Sequence, residues 1–401
     1  MSGDDVWIIG AAMTKIGRYP DRDVIDLGCE AAFNALKDAA LTIRDIDVLA
    51  VGNVYESNTS VAQRIQKQIG QTGVPAYNVF NACASGATAV RTVIMAVKSG
   101  EADIGMAIGA EHMSTVGRLD KAATGRHEKK VFTPKGRYGS VLSPEGILGT
   151  RLAPGVFAQA GMAYAFQHGV TREQFAMVAV KNHRNSALNP YAQCRKAFSL
   201  EEILAADDIA YPNTLPMCST SGDGAAAVIV VSNARLAGVD PDIRRRAVKI
   251  SASVLTTDPW TDDGQVQPDV NTLTRQAAHW AYELAGVGPE DLDLIELHDS
   301  CASAELLHYD DLGLCKPGRA GELIESGAVD RSGSTPVNVS GGLLSKGHPV
   351  GATGVANLYE ITAHLRGEAG DRQIDGAKVG LAHVVGLGAA CGVHILEKSA
   401  L

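Results

Sequence analysis

The chain is poor in aromatic residues, in positive charge, in paired cysteines and in long apolar runs. Phe, Trp and Tyr make up 5% of its 401 residues, too few for a base-stacking surface. Lys and Arg number 36 against 45 Asp and Glu, and the net charge of −9 argues against generic nucleic-acid binding, which needs a basic face. No apolar run approaches the roughly 18 residues of a membrane span. The seven cysteines (Cys29, Cys83, Cys194, Cys218, Cys301, Cys315, Cys391) contain no C-x-x-C pair and are odd in number. That pattern excludes a disulfide scaffold, argues against a structural zinc site, and leads us to expect a reducing, cytoplasmic setting with no bound metal. Met1-Ser2-Gly3-Asp4-Asp5 has none of the basic and apolar character of a signal peptide. Ser399-Ala400-Leu401 lacks the Lys of a peroxisomal tail.

What is abundant is glycine, 43 residues, and apolar character, 45%. At roughly 150 residues per domain the length allows two or three domains with a large core. Internal repetition gives the organisation. Ala31–Asn53 aligns without gaps on Ala277–Asp299, with identities at Ala31/Ala277, Ala32/Ala278, Ala35/Ala281, Ala39/Ala285, Asp45/Asp291 and Asp47/Asp293. Both segments read as an alanine-rich helix, an acidic turn and an apolar strand. Gly86-Ala87-Thr88-Ala89-Val90 returns as Gly351-Ala352-Thr353-Gly354-Val355, and the glycine-rich stretch 222–228 returns as 386–392, which places Cys391 opposite Ala227 on a core strand. Three matches in one order imply two duplicated α/β halves facing each other. The division expected is 1–117 with 206–243 as the first half, 118–205 as an insertion, and 244–401 as the second half. Within the insertion, Arg118, Lys121, Arg126, Lys129, Lys130, Lys135 and Arg137 face only Asp120 and Glu128. Such a run is either a solvated loop or a dock for a phosphate-rich ligand.

Several loops carry residues suited to chemistry. In Tyr77-Asn78-Val79-Phe80-Asn81-Ala82-Cys83-Ala84-Ser85-Gly86, Cys83 falls just before a helix, where the dipole favours a thiolate; the other reading is a buried cysteine at a tight turn. Ser340–Gly354 holds five glycines and fixes His348 ahead of Pro349. By the repeat it stands where the Cys83 loop stands in the first half, so thiol and imidazole should meet, as covalent catalysis requires. A Walker loop is excluded because Gly347 follows Lys346. Leu294–Glu305 ends an apolar strand in His298-Asp299-Ser300-Cys301, a hydrogen-bonded structural pair or an acid/base or oxyanion group. Gly386–Gly392 has the wrong spacing for a dinucleotide fingerprint.

Together these four loops resemble the thiolase superfamily, and His298-Asp299 resembles its sterol-carrier-protein-2 type; Lys181-Asn182-His183, Asn189-Pro190-Tyr191 and Thr220–Ala225 agree. The resemblance covers essentially the whole chain, and a following sterol-carrier domain is not expected. It implies a five-layered α/β/α/β/α sandwich with an inserted loop domain, a homodimer or tetramer, and coenzyme A as co-substrate with no tightly bound cofactor. It further implies Cys83 as acyl-accepting nucleophile and His348 as its activator. His298 would stand at an oxyanion site, the backbone N–H groups of Cys83 and Gly388 at another, and the basic run on coenzyme A phosphates. One departure stands out: Ser300 occupies the position of the acid/base cysteine, and Gly386 the position of the C-x-G cysteine. A thiol titrates near about 8.5, and a hydroxyl (taking water's roughly 15.7) lies about 7 units higher, on the order of 10 kcal/mol against the anion. Ser300 cannot be that base alone, and Cys301, one residue along, is the substitute to consider. The expected activity is thiolytic cleavage of a 3-ketoacyl-CoA, or the reverse condensation, in lipid or sterol side-chain metabolism. The alternatives are a retro-aldol lyase acting on a 3-hydroxyacyl-CoA and a partner-dependent acyl-CoA-binding protein.

Overall fold

A computed structural model of the chain describes residues 5–114, 135–136, 139–140, 152–258, 270–387 and 390–399. Nine strands form the main sheet: β1 (Val6–Met13), β2 (Val48–Gly52), β3 (Ala76–Val79), β4 (Ile104–Glu111), β5 (Gly224–Ser232), β6 (Val248–Thr256), β7 (Leu294–Glu296), β8 (Val379–Gly386) and β9 (Ala390–Lys398). The helices that matter here are α1 (Val24–Asp38), α2 (Val61–Ile69), α3 (Ser85–Ser99), α4 (Leu152–His168), α5 (Arg172–Ser186), α6 (Val270–Ala285), α7 (Ala302–Asp311), α8 (Gly342–Ser345) and α9 (Thr353–Arg366).

The strand order is β7-β8-β9-β6-β1-β5-β4-β2-β3. It splits into two arrays of one design. In the first, β1 pairs antiparallel with β5, β5 antiparallel with β4, and β4, β2 and β3 run parallel. In the second, β6, β9, β8 and β7 repeat those senses, and a parallel bridge from Ile295 to Val337 stands where β3 would be. A bulge falls between Ile8 and Gly10 in β1 and again between Ile250 and Ala252 in β6. The arrays join through two antiparallel rungs, Trp7 to Lys249 and Ile8 to Val248.

The duplication is therefore structural, and the sheet corrects one of its alignments. Val48 pairs with Gly105 and Leu294 with Gly380, which keeps the offset of 246 read from sequence. Ile104 pairs with Val231 and Val379 with Glu397, so β5 maps onto β9 with an offset of 166, against 164 from the glycine alignment. Cys391 thus corresponds to Ala225 rather than Ala227. A slip of two leaves every side chain on the same face of a strand, so hydrophobic pattern cannot detect it; only the ladder does. Cys391 is fully buried in the core, as a small apolar side chain there should be.

Five layers result. The helices α1 and α2 cover the outer face of the first array, with Leu27, Ala31, Ala35 and Ile65 against Ile9, Leu49 and Ile108. Between the arrays, α3 and α9 bring Val90, Val93, Val355 and Ile361 against Ala226, Val228, Ile250 and Leu294. On the far side, α6 and α7 pack Leu273, Ala281 and Leu306 against Val393 and Ile395. Strands buried on both faces carry continuous rather than alternating apolar residues, and the eight residues of β1 and of β4 are all buried. The start of α1 is set by a capping box: Asp23 Oδ1 accepts from Ile25 and Asp26 N–H at 2.8 and 2.9 Å, and Asp26 accepts from Asp23 N–H at 3.0 Å. Between β4 and β5 run residues 112–223, whereas β8 and β9 are joined by 387–389 alone. That long connection carries α4 and α5 against the second half.

Candidate functional site

The site lies where the central helices begin. Residues 76–79 form the edge strand β3, the chain turns at Ala82 with a left-handed φ of 47°, and α3 begins at Ser85. Ser85 Oγ donates to Ala82 O at 2.6 Å and accepts from Asn81 N–H at 2.9 Å, which holds the turn. Cys83 sits at its apex, half-buried. The facing loop, 340–351, is laid against the end of β4. A Cβ on Gly351 would lie 2.8 Å from Ala110 O, and one on Gly86 2.9 Å from Gly351 O. Only glycine permits this approach of backbone to backbone.

The loop places His348 Nε2 3.3 Å from Cys83 Sγ. Its other ring nitrogen, Nδ1, lies 2.8 Å from Thr353 Oγ1, and that hydroxyl lies 3.1 Å from Pro349 O. With the Thr353 proton given to Pro349 O, Thr353 Oγ1 accepts from His348 Nδ1–H, and in that tautomer the Nε2 lone pair faces the thiol. The backbone N–H of His348 donates to Thr220 O at 2.8 Å. Burial pushes the Cys83 thiol up to about 12, with Glu111 adding to the rise, and pushes His348 down to about 3. The resting pair is therefore a thiol and a neutral imidazole. At Cys83 the loss of water opposes the helix-start charge that favours a thiolate.

His298 completes the group: its ring meets that of His348 edge-on, with centroids 5.4 Å apart. It is 1% exposed, and burial holds its imidazolium well below the usual range. His298 Nδ1 and Ser300 Oγ are both buried without a hydrogen-bond partner among the described residues. Asp299 turns the other way, into structure: it accepts from Leu343 N–H at 2.7 Å and Asn182 Nδ2 at 2.8 Å, anchoring α8. Cys301 also leaves the site. It bridges antiparallel to Cys218, with the two Sγ atoms 3.8 Å apart, in the core rather than beside Cys83. A Cβ on Gly386 would fall 2.1 Å from Asn81 O, so this backbone has no room for a second cysteine there. Gly388 lies outside the described residues, as do Arg118, Lys121, Arg126, Lys129, Lys130 and Arg137; of Lys135 only the backbone is described.

Two residues escaped the sequence reading. Thr353 is five residues beyond His348 in the G-A-T segment; the loop's helix start was the available signal. Glu111 ends the apolar run of β4, and its carboxylate accepts from Val54 N–H at 2.9 Å, Asn53 Nδ2 at 2.9 Å and Gly351 N–H at 3.2 Å. Burial pushes Glu111 up to about 7. It ties the two loops together from below. A carboxylate closing an otherwise apolar strand was the signal available for it.

Comparison with known proteins agrees with this geometry. The family described as "Thiolase, N-terminal domain" matches residues 6–203, and "Thiolase C-terminal domain-like" matches 263–398. Sterol carrier protein 2 of Bos taurus is 38% identical over 98% of this chain and 72% of its own length. Acetyl-CoA acetyltransferase of Methanothermobacter thermautotrophicus is 35% identical over 98% of this chain and all of its own. Among solved structures, an Ltp2-ChsH2(DUF35) aldolase superposes with a TM-score of 0.81 at 21% identity, each chain covered to 99%. Human mitochondrial 3-ketoacyl-CoA thiolase in complex with CoA superposes with 0.74 at 19% identity, over 99% of this chain and 98% of that one. At such identities the superpositions speak for the fold.

Proposed function

The chain belongs to the thiolase family and is an acyltransferase enzyme of that family, and from this premise we propose that it cleaves 3-ketoacyl-CoA with coenzyme A, or runs the reverse condensation, through an acyl-Cys83 intermediate. The observation that carries the reading is the 3.3 Å approach of His348 Nε2 to Cys83 Sγ, with Nδ1 committed to Thr353. His348 takes the thiol proton as Sγ bonds to the C3 carbonyl carbon. The C2–C3 bond breaks, its electron pair goes to C2, and C2 takes up a proton as the shorter acyl-CoA leaves. The thiol of coenzyme A then bonds to the acyl carbon and gives its proton to the group that protonated C2, while Sγ leaves and recovers its own proton from His348. In this reading His298 serves the developing oxyanion, and the backbone N–H groups of Cys83 and Gly388 serve the other, at about 3–4 kcal/mol per donor. The 118–137 run takes the coenzyme A phosphates.

A lipid or sterol side-chain substrate belongs to the same proposal, as does a cytoplasmic setting, supported by seven unpaired thiols. So does the division at 117, 205 and 243. A homodimer, or a pair of dimers, is supported by the edge position of β3 and the exposure of Tyr77 and Phe80 beside it. Among the described residues no helix is long and apolar enough to cross a membrane.

The test is a thiolysis assay with free coenzyme A and 3-ketoacyl-CoAs of several lengths, following the two acyl-CoA products. Turnover that Cys83→Ala abolishes supports the reading. A second reading, retro-aldol cleavage of a 3-hydroxyacyl-CoA, is favoured by one observation: no second thiol shares the site, since Cys301 faces Cys218 and Gly386 admits no side chain. That reaction needs no acyl-enzyme, so activity retained by Cys83→Ala on a 3-hydroxyacyl-CoA would decide for it.

A further inference from the structure

The three residues of the site have the composition of a metal-ligand set. Cys83 Sγ and one ring nitrogen each from His298 and His348 all lie within 4.8 Å of one another, the one group of three or more Cys, His, Asp or Glu among the described residues to converge in this way. Zinc bound tetrahedrally, with Zn–S of about 2.3 Å and Zn–N of about 2.05 Å, needs ligand atoms roughly 3.6 Å apart for S and N and roughly 3.3 Å for N and N. The Cys83–His348 edge, at 3.3 Å, is within a few tenths of an ångström of that. His298 has to close by about 1.5 Å or less, judged against the same geometry.

Two further observations point to a metal. A histidine that binds zinc through one nitrogen characteristically donates its other N–H to an acceptor, which fixes the tautomer and aims the lone pair. Thr353 already does this for His348. His298 is 1% exposed, yet its Nδ1 has no hydrogen-bond partner among the described residues, so the fold leaves that nitrogen free to ligate. One thiolate with two imidazoles is a borderline-soft set that suits zinc and not magnesium or calcium.

We propose that Cys83, His298 and His348 form an inhibitory zinc site, with three protein ligands and the fourth position open on the side where substrate enters. On binding, the Cys83 S–H bond breaks, its proton leaves to solvent, and the thiolate bonds to Zn2+; no electron is transferred. The loaded protein has neither a free nucleophile nor a free base. The sequence gives no hint of such a site, because the ligands are separated by 215 and 50 residues and no paired-ligand motif marks them. Metal binding is independent of the acyl-transfer reading; only the inhibition rests on it.

The experiment therefore reads binding directly. The metal-free full chain is titrated with Co2+ and then Zn2+, and Cys83 alkylation by iodoacetamide is followed by peptide mass. One equivalent of Co2+ should give a thiolate-to-cobalt charge-transfer band and tetrahedral visible bands, both erased by Zn2+, which binds the same ligands more tightly. One equivalent of Zn2+ should block Cys83 alkylation, and EDTA should restore it. Cys83→Ser should remove the charge-transfer band, and Cys194→Ser should leave it unchanged. Thr353→Val, which keeps all three ligands, should weaken zinc by about 10–100-fold, as loss of a supporting hydrogen bond does elsewhere. No charge-transfer band, a band that survives in Cys83→Ser, or alkylation unaffected by equimolar zinc would overturn the proposal. A failed thiolysis assay with an intact cobalt spectrum would count against the acyl-transfer reading alone.

Discussion

Thr353→Val tests the hydroxyl that sets the tautomer of His348, because valine keeps the shape and removes the acceptor for Nδ1–H together with the donor to Pro349 O, which still receives the N–H groups of Ala352 and Thr353. In the native chain Nδ1–H donates to Thr353 at 2.8 Å, and Nε2 faces Cys83. Without the hydroxyl, that N–H is buried with no acceptor, which costs about 1–3 kcal/mol. The alternative tautomer escapes this cost by moving the proton to Nε2, where it points at the sulfur and can no longer accept. At about 1.4 kcal/mol per factor of ten, a cost near 2 kcal/mol lowers the competent tautomer about 30-fold. The rate of Cys83 alkylation by iodoacetamide should fall by that factor, and kcat/KM for thiolysis with it. Thr353→Ser, which returns the hydroxyl, should recover most of the rate. If Thr353→Val alkylates within twofold of the parent while its melting curve shows an intact fold, the tautomer argument is wrong.

Other expectations follow from the same contacts. Ser300→Cys puts a thiol at a buried position whose oxygen has no partner among the described residues, and should raise thiolysis at least tenfold; Cys301→Ser, at the Cys218 bridge, should stay within twofold. Both rates come from one assay, and a reversed order would return the proton shuttle to Cys301. Gly354→Ala would drive a Cβ to 2.4 Å from Ala87 N, where α3 and α9 touch. A stability loss of about 1–3 kcal/mol in urea unfolding is expected, together with slower Cys83 alkylation. His394 on β9 is pushed down to about 4 by burial first and Arg91 second. Its folded value lies below the unfolded 6.5, so the stability it confers is complete above pH 6.5 and drains away as pH falls through 4. His394→Gln should therefore lose about 2.5 kcal/mol less than the parent between pH 7.5 and 4.5. Equal acid sensitivity in the two proteins would contradict this.

The halves and their helix–strand units were legible because Ala-rich helices and apolar strands leave periodic patterns, and the offset of 246 survives in the β2 and β7 ladders. The glycine alignment at 222–228 slipped by two, since a shift of one full strand period changes no face. Cys83 and His348 were legible from their loops. Thr353 and Glu111 were not, because their roles depend on which atoms the loops bring near, and the carboxylate closing the apolar run of β4 marks a position without saying what it meets. For Cys83 the helix start is visible in sequence, but the removal of water by the facing loop, which raises the thiol, is not. Cys301 could be assigned to the core only once Cys218, 83 residues earlier, was seen beside it.

The joint between the arrays has a symmetry of its own. The bulges at Ile8/Gly10 and Ile250/Ala252 set an offset of 242, under which Lys249 is the counterpart of Trp7 and Val248 the counterpart of Val6. In the two joining rungs, then, Trp7 meets its own counterpart, and Ile8 meets that of Val6. A pseudo-dyad passes through the Trp7–Lys249 pair, the signature of a patch that once recognised a copy of itself. A half-length ancestor meeting its twin across these rungs would have held two equal loops facing one another. Fusion into one chain let those loops diverge. One loop now carries a sulfur and the other an imidazole, so the two halves of a symmetric frame hold the complementary parts of one site.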